Sequence, residues 1–201
     1  MCKNFTSLEQ SLQYFMSFFS FRDWMDKLST HEKSAIDTYT KGESYFINSH
    51  MRNKLPFSLK KRKYKRVVHH IDTSISKFKL EEPILIHRWL DRFPSKEFDM
   101  LKLIRESGEI YVEPGYSSCT LTSDSIGELD WWKRDIKHKI HLIIRVPRGV
   151  GIGAYVQVFS EEKFKYQNEF LLARKTKFHI PDISLEMKPL VEIPAEVILN
   201  D

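Results

Sequence analysis

The chain changes its apolar periodicity at Pro83, and that switch constrains the fold more than any other feature. Before it, apolar residues recur three and four apart. Ser29-Thr30-His31-Glu32 has the spacing of a capping box, a hydroxyl capping the first turn and a carboxylate three residues on capping in return. Ala35, Ile36 and Tyr39 follow at helical spacing, and Tyr45, Phe46, Ile47 and Met51 repeat it over 43–54. Pro56 closes that helix, because proline disfavours the helical conformation in the residue before it. Val67, Val68, Ile71, Ile75 and Phe78 form a third helical stripe. After Pro83 the apolar runs shorten to 84–89, 140–146, 154–159, 169–174, 177–180 and 191–199, punctuated by Pro147, Gly149, Gly151, Gly153 and Pro181. One helix, 95–106, interrupts them. Helices first and strands after predict an α+β fold with an antiparallel sheet core.

A length of 201 residues suits one domain over 1–201, with 1–20 as an N-terminal helical extension within it. No run approaches the roughly 20 apolar residues that span a bilayer. The stretch Phe15-Met16-Ser17-Phe18-Phe19-Ser20-Phe21 runs straight into charge, so no secretory signal is read. Cys2 and Cys119 lie far apart and imply neither a disulfide framework nor a zinc site. The histidines show no metal-ligand spacing, so no metal is expected. A net charge of +5 favours acidic partners without choosing among them. The basic run Lys60-Lys61-Arg62-Lys63-Tyr64-Lys65-Arg66 suits polyanions, but it reads better as the solvated start of a helix. Only one aromatic is interleaved in it, which does not favour nucleic acid.

Four segments carry chemistry when taken together. In Gln167-Asn168-Glu169, strand alternation puts the amide and the carboxylate on one face, where they can hold a sugar hydroxyl and a target side chain. In Ser118-Cys119-Thr120, two hydroxyls share a face and can fix a carboxylate rotamer. Arg88 lies inside an apolar strand, where a guanidinium needs an anionic partner and its planar fork suits a diphosphate. Asn48 and Arg52 are four apart and share a helix face. Each segment has a bland reading alone: an exposed polar pair, an ordinary Ser/Thr strand, an internal ion pair, a solvated helix face.

In order and spacing, from about Trp24 to Ile198, these segments resemble the toxin-type mono-ADP-ribosyltransferases. The match runs through Ile47-Asn48-Ser49-His50-Met51-Arg52, Ile86-His87-Arg88-Trp89, Ser118-Cys119-Thr120 and Gln167-Asn168-Glu169, followed by Leu171-Leu172 and Thr176-Lys177-Phe178. Cys119 replaces the middle residue of a Ser-Thr-Ser strand, Met51 a leucine, and Trp89 a glycine found in several members. The resemblance implies N-terminal helices packed on a core of two antiparallel β-sheets. It implies NAD as co-substrate, cleaved at the nicotinamide bond, with ADP-ribose passed to a protein and water giving a side glycohydrolase activity. Glu169 would be the catalytic carboxylate, Ser118 its support and Gln167 the group that orients the acceptor. Arg88 and Arg52 would bind the diphosphate, Asn48 would lie toward the adenosine, and Thr120 would line the same pocket. Phe164 and Tyr166 would press on the acceptor protein. Gln167, where arginine-modifying members carry glutamate, resembles the Rho-modifying exoenzymes, whose target is asparagine. An arginine-directed, actin-type transferase and a polyanion-binding non-enzyme are the alternatives. The expected protein is a monomeric toxin or effector, secreted or injected, that modifies a host small GTPase in the host cytosol.

Overall fold

The computed structural model describes residues 2–52, 60–91, 110–123, 139–160, 167–180 and 190–199. Helix α1 (Leu8–Ser17) starts at Ser7, whose hydroxyl accepts the Gln10 N–H at 3.1 Å. Helix α2 (Phe19–Lys27) follows after Phe18. Helix α3 (Thr30–Thr38) carries the expected capping box, with Ser29 and Glu32 each accepting the other's N–H. The chain then widens into one π-type turn, Tyr39–Glu43, at a backbone φ of +106° on Gly42, a conformation that favours glycine. Helix α4 (Ser44–Met51) resumes directly. Pro56, expected to close it, lies outside the described residues, as does the expected helix at 95–106. Helix α5 (Lys60–Ser76) begins in the basic run and buries Tyr64, Ile71 and Ile75 on one face.

The strands are β1 (Lys79–Leu80), β2 (Ile84–Asp91), β3 (Ile110–Val112), β4 (Ser117–Thr120), β5 (Lys139–Val146), β6 (Gly149–Val150), β7 (Gly153–Tyr155), β8 (Glu169–Leu172), β9 (Lys177–His179) and β10 (Leu190–Ile198). Eight hydrogen-bond in the order β3-β9-β10-β5-β2-β4-β8-β7, and β1 with β6 forms a two-stranded ribbon. Helices therefore precede a sheet-rich core, as the periodicity predicts. Every pairing is antiparallel except β10 with β5, which runs parallel. Parallel neighbours need a long crossover, and the chain between these two carries β6 to β9.

Two other strand expectations change. The run at 154–159 ends as a strand at Tyr155 and closes into a short 3-10 turn, Gln157–Phe159. There the Phe159 N–H turns back to the Val156 carbonyl at 2.9 Å, while the Gln157 side chain reaches the Glu169 N–H at 2.8 Å. Strand β3 was not expected; two of its three residues are exposed, so its apolar run is too short to stand out.

Helix α1 lies directly on the strands that carry the site. Phe15 is buried and stacks on Tyr155 with centroids 4.4 Å apart. Asn168, at φ +46°, is buried between the Tyr155 hydroxyl at 3.1 Å and the Ser11 hydroxyl at 2.9 Å. The helical extension thus fixes the residue immediately before β8. Phe15→Ala is expected to cost about 3–5 kcal/mol in denaturant unfolding, the usual range for emptying a buried aromatic site.

Candidate active site

Strands β4 and β8 pair with Thr120 opposite Glu169 and Ser118 opposite Leu171. Ser117 and Cys119 are buried, whereas Ser118 is exposed and Thr120 half-buried, so the alternation expected from the sequence is present. The Ser118 hydroxyl donates to Glu169 Oε1 at 2.5 Å. Glu169 is only 3% exposed, and its backbone N–H is held by Gln157 Oε1 at 2.8 Å. Its second oxygen, Oε2, is buried and has no hydrogen-bond partner among the described residues. Burial pushes the carboxyl up to about 7, against the opposing effect of the Ser118 hydrogen bond. A buried acceptor left open in this way is ready for a ligand hydroxyl.

Gln167 does not sit on the strand with Glu169. Asn168 takes a left-handed turn between them, and β8 begins only at Glu169. Strand alternation therefore does not set the direction of the Gln167 side chain, which is half-buried. The reason is the bonding of Asn168 to Tyr155 and Ser11, which turns the chain before the ladder starts.

Arg88, in β2, donates from Nη1 to the Ser117 hydroxyl and lies 3.6 Å through Nη2 from Glu113 Oε2. Arg52, at the C-terminal end of α4, binds Glu113 Oε1 through Nε at 3.0 Å and Nη2 at 2.8 Å. The Glu113 carboxylate also accepts the Gly115 N–H at 2.9 Å and the Tyr111 hydroxyl at 3.1 Å. Burial alone would raise the Glu113 carboxyl; Arg88 and Arg52 outweigh it and hold the group below the usual carboxylate range.

Asn48 pins α4 to the turn before β4. Its Oδ1 accepts the Tyr116 N–H at 3.0 Å, and its Nδ2 donates to the Tyr116 carbonyl at 3.2 Å and the Tyr39 hydroxyl at 3.1 Å. Its amide is thus engaged within the protein, one helical turn before Arg52. Gly115 leaves room for this contact, since a Cβ there would meet Asn48 Oδ1 at 2.8 Å. Thr120 Oγ1 donates to the Thr122 carbonyl at 3.1 Å and accepts the Thr122 N–H at 3.2 Å, turning the chain at the end of β4.

The charges meet around Tyr39 and Cys119. Burial raises the Tyr39 phenol, Glu169 adds to the rise, and Arg88 and Arg52 oppose it. The buried Cys119 thiol is pushed up to about 12, mainly by burial, with Arg88 lowering and Glu169 raising it. Adjacent residues of β4 link the two halves of the site: Ser118 holds Glu169, and Ser117 holds Arg88, which shares Glu113 with Arg52. Phe164 and Tyr166 lie outside the described residues. Trp89 stacks on the His141 ring with centroids 4.1 Å apart. The sequence reading missed Glu113, Ser117 and Gln157. Glu113-Pro114-Gly115 looks like a turn, and only the fold shows that its carboxylate meets two arginines. Among the described residues no group of three or more His, Cys, Asp or Glu could hold a metal, and no helix is long and apolar enough to cross a membrane.

The raised Glu169 group has a consequence for stability. The fold binds its proton more tightly than the unfolded chain does. The stability this brings is complete below the ordinary value of 4.5 and is lost as pH rises through about 7. Glu169→Gln removes that loss, so its stability margin over the wild type should widen between about pH 5 and pH 8 in equilibrium unfolding. A constant margin would show that Glu169 is not strained by burial.

The fold is that of solved bacterial toxins. Plx2a, an ADP-ribosyltransferase toxin from Paenibacillus larvae, superposes with a TM-score of 0.74 at 23% identity over 99% of this chain and 100% of that one. The C3 exoenzyme of Clostridium limosum gives 0.71 at 24% identity over 99% of this chain and 98% of that one. An S. aureus protein of the same C3 series, solved with NAD, gives 0.68 at 25% identity over 99% of both chains. No match was found among curated protein sequences. The model of the ADP-ribosyltransferase exoenzyme family matches residues 19–198, nearly the whole chain. This chain therefore belongs to the ADP-ribosyltransferase exoenzyme family.

Proposed function

We propose that the chain, acting as one domain over 1–201, cleaves NAD at the nicotinamide–ribose bond and transfers ADP-ribose to a protein side chain. The observation that carries this reading is Glu169: one carboxylate oxygen is bonded to Ser118, the other is buried and open among the described residues, and the neighbouring Ser117 hydroxyl holds the Arg88 guanidinium. The residues fit NAD chemically. Among the described residues Arg52 and Arg88 form ion pairs with one carboxylate, Glu113, which leaves a net positive charge for a diphosphate. Glu169 Oε2 would accept a hydrogen bond from a hydroxyl of the nicotinamide ribose. Its negative charge then stabilises the cationic sugar that forms as the C1′–N bond breaks and nicotinamide leaves. The acceptor nitrogen bonds to C1′ and gives up a proton. Water in its place yields free ADP-ribose.

The acceptor we propose is an asparagine of a Rho-type small GTPase in a host cell, reached by a secreted or injected, monomeric toxin. The support is Gln167, two residues before Glu169, which resembles the Rho-modifying members; an amide there can pair with the acceptor amide. Phe164 and Tyr166 complete the acceptor-facing segment in this reading.

Glu169→Ala should lower nicotinamide release by about 100-fold or more, the scale of losing a group that stabilises transition-state charge. Nicotinamide release by the variant at the wild-type rate would refute the catalytic assignment. Gln167→Ala should leave release nearly unchanged and cut protein labelling by about ten-fold or more; equal losses in both would refute its role. Labelled NAD with purified Rho-type GTPases and actin, followed by mapping of the modified residue, tests the target. An ADP-ribosylated arginine would replace the asparagine reading with the arginine-directed one.

The pH dependence follows from the same carboxylate. Glu169 must be ionised, so kcat/KM for nicotinamide release should fall on the acid side of about pH 7. Ser118 donates to the ionised form and lowers the group, so Ser118→Ala should move that limb to higher pH as well as slow the reaction.

A further inference from the structure

We propose that Glu113 is a positioning residue, which sets the guanidiniums of Arg52 and Arg88 at the spacing and angle that a dinucleotide diphosphate requires. This rests on the assignment of NAD as substrate.

Each oxygen of Glu113 answers one arginine. Oε1 takes Nε and Nη2 of Arg52 at 3.0 and 2.8 Å, and Oε2 faces Nη2 of Arg88 at 3.6 Å. The Gly115 N–H on Oε1 and the Tyr111 hydroxyl on Oε2 hold the carboxylate's own orientation. Its main chain is fixed as well: the Glu113 N–H donates to the Thr176 carbonyl at 3.1 Å, and its carbonyl accepts the Lys175 N–H at 2.8 Å. The carboxylate is therefore anchored to the loop between β8 and β9, independently of α4 and β2, which carry the arginines.

Exposure rises outward through the cluster. The side chains of Glu113, Arg88 and Arg52 are 2%, 11% and 30% exposed. The anion lies behind and the cations lie between it and solvent, so a ligand meets guanidinium first. Arg52 uses Nε and Nη2 on Glu113, and its Nη1 has no partner among the described residues. A guanidinium offers five N–H donors in a fixed plane, so fixing one edge fixes the direction of the other. Two like charges held near each other would separate without a shared counter-ion. A carboxylate that both share spares the ligand the work of bringing them together.

The alternative is that Glu113 only offsets surplus positive charge. The two roles predict opposite signs. A mere neutraliser, once removed, raises the local charge and tightens NAD binding. A positioning group, once removed, loosens both arginines and weakens it.

The test is Glu113→Gln, read by calorimetric titration with NAD and by steady-state nicotinamide release. We expect Kd and KM for NAD to rise by about ten-fold or more, with kcat held within about three-fold. In an Arg52→Ala background the same change should raise Kd by a clearly smaller factor, because only the Arg88 share of the positioning remains to be lost. A general packing defect would act equally in both backgrounds. If Glu113→Gln fails to fold, Glu113→Asp, which keeps the charge and shortens the reach, should show the same rise in KM with kcat spared. Unchanged or tighter NAD binding, or a loss confined to kcat, would overturn the proposal. A wild type that binds NAD without releasing nicotinamide would refute the reaction while the titrations still decide the role of Glu113. A wild type that does not bind NAD would overturn both.

Discussion

Strands β4 and β8 pair so that Thr120 lies opposite Glu169, and from that register the Ser118 hydroxyl reaches the carboxylate diagonally. Such diagonal neighbours lie within reach only when the register is correct, and a slip of one residue would turn Glu169 to the opposite face. The register is protected at the start of β8. Asn168 is buried and bonded to α1 and β7, and Gln157 caps the Glu169 N–H where a ladder carbonyl would otherwise sit. Much of the aromatic core, with Phe15 stacked on Tyr155 and near Phe170, serves to hold this one edge of the sheet.

The site accepts costs that a purely structural region would avoid. Glu169 is buried with an open oxygen, and Glu113 is buried among arginines. A buried carboxylate is destabilising unless it is paired. The two carboxylates meet that cost in opposite ways. Glu113 is surrounded by donors and stays charged; Glu169 has one hydroxyl and is pushed up toward neutrality. That contrast matches the roles proposed for them, Glu113 to hold other groups and Glu169 to react.

Part of this was legible in the sequence. The capping box at Ser29 and Glu32 needs only local spacing, and it forms as spaced. The alternation of Ser118, Cys119 and Thr120 holds because all three lie on a strand. The same rule misplaces Gln167, because Asn168 takes a left-handed turn that its buried partners dictate, and those partners are Ser11 and Tyr155, outside the strand that the pattern covers. Asn48 and Arg52 do share a helix side, yet the amide is engaged by Tyr116 and Tyr39 while the guanidinium reaches Glu113. Helical spacing gives neighbours on a helix and says nothing of what lies opposite them.

By itself the sequence determined that helices precede strands, the capping box that starts the helix after Ser29, and the faces of a regular strand such as Ser118 to Thr120. Those properties depend on spacings of two to four residues, which local geometry fixes. Only the tertiary structure decided that Glu113 joins Arg52 and Arg88, that Gln157 holds the Glu169 backbone, and that β10 runs parallel to β5. Each of these joins elements distant in the chain. Many sequences satisfy the same local pattern, and burial and packing of the whole chain select which distant partners meet.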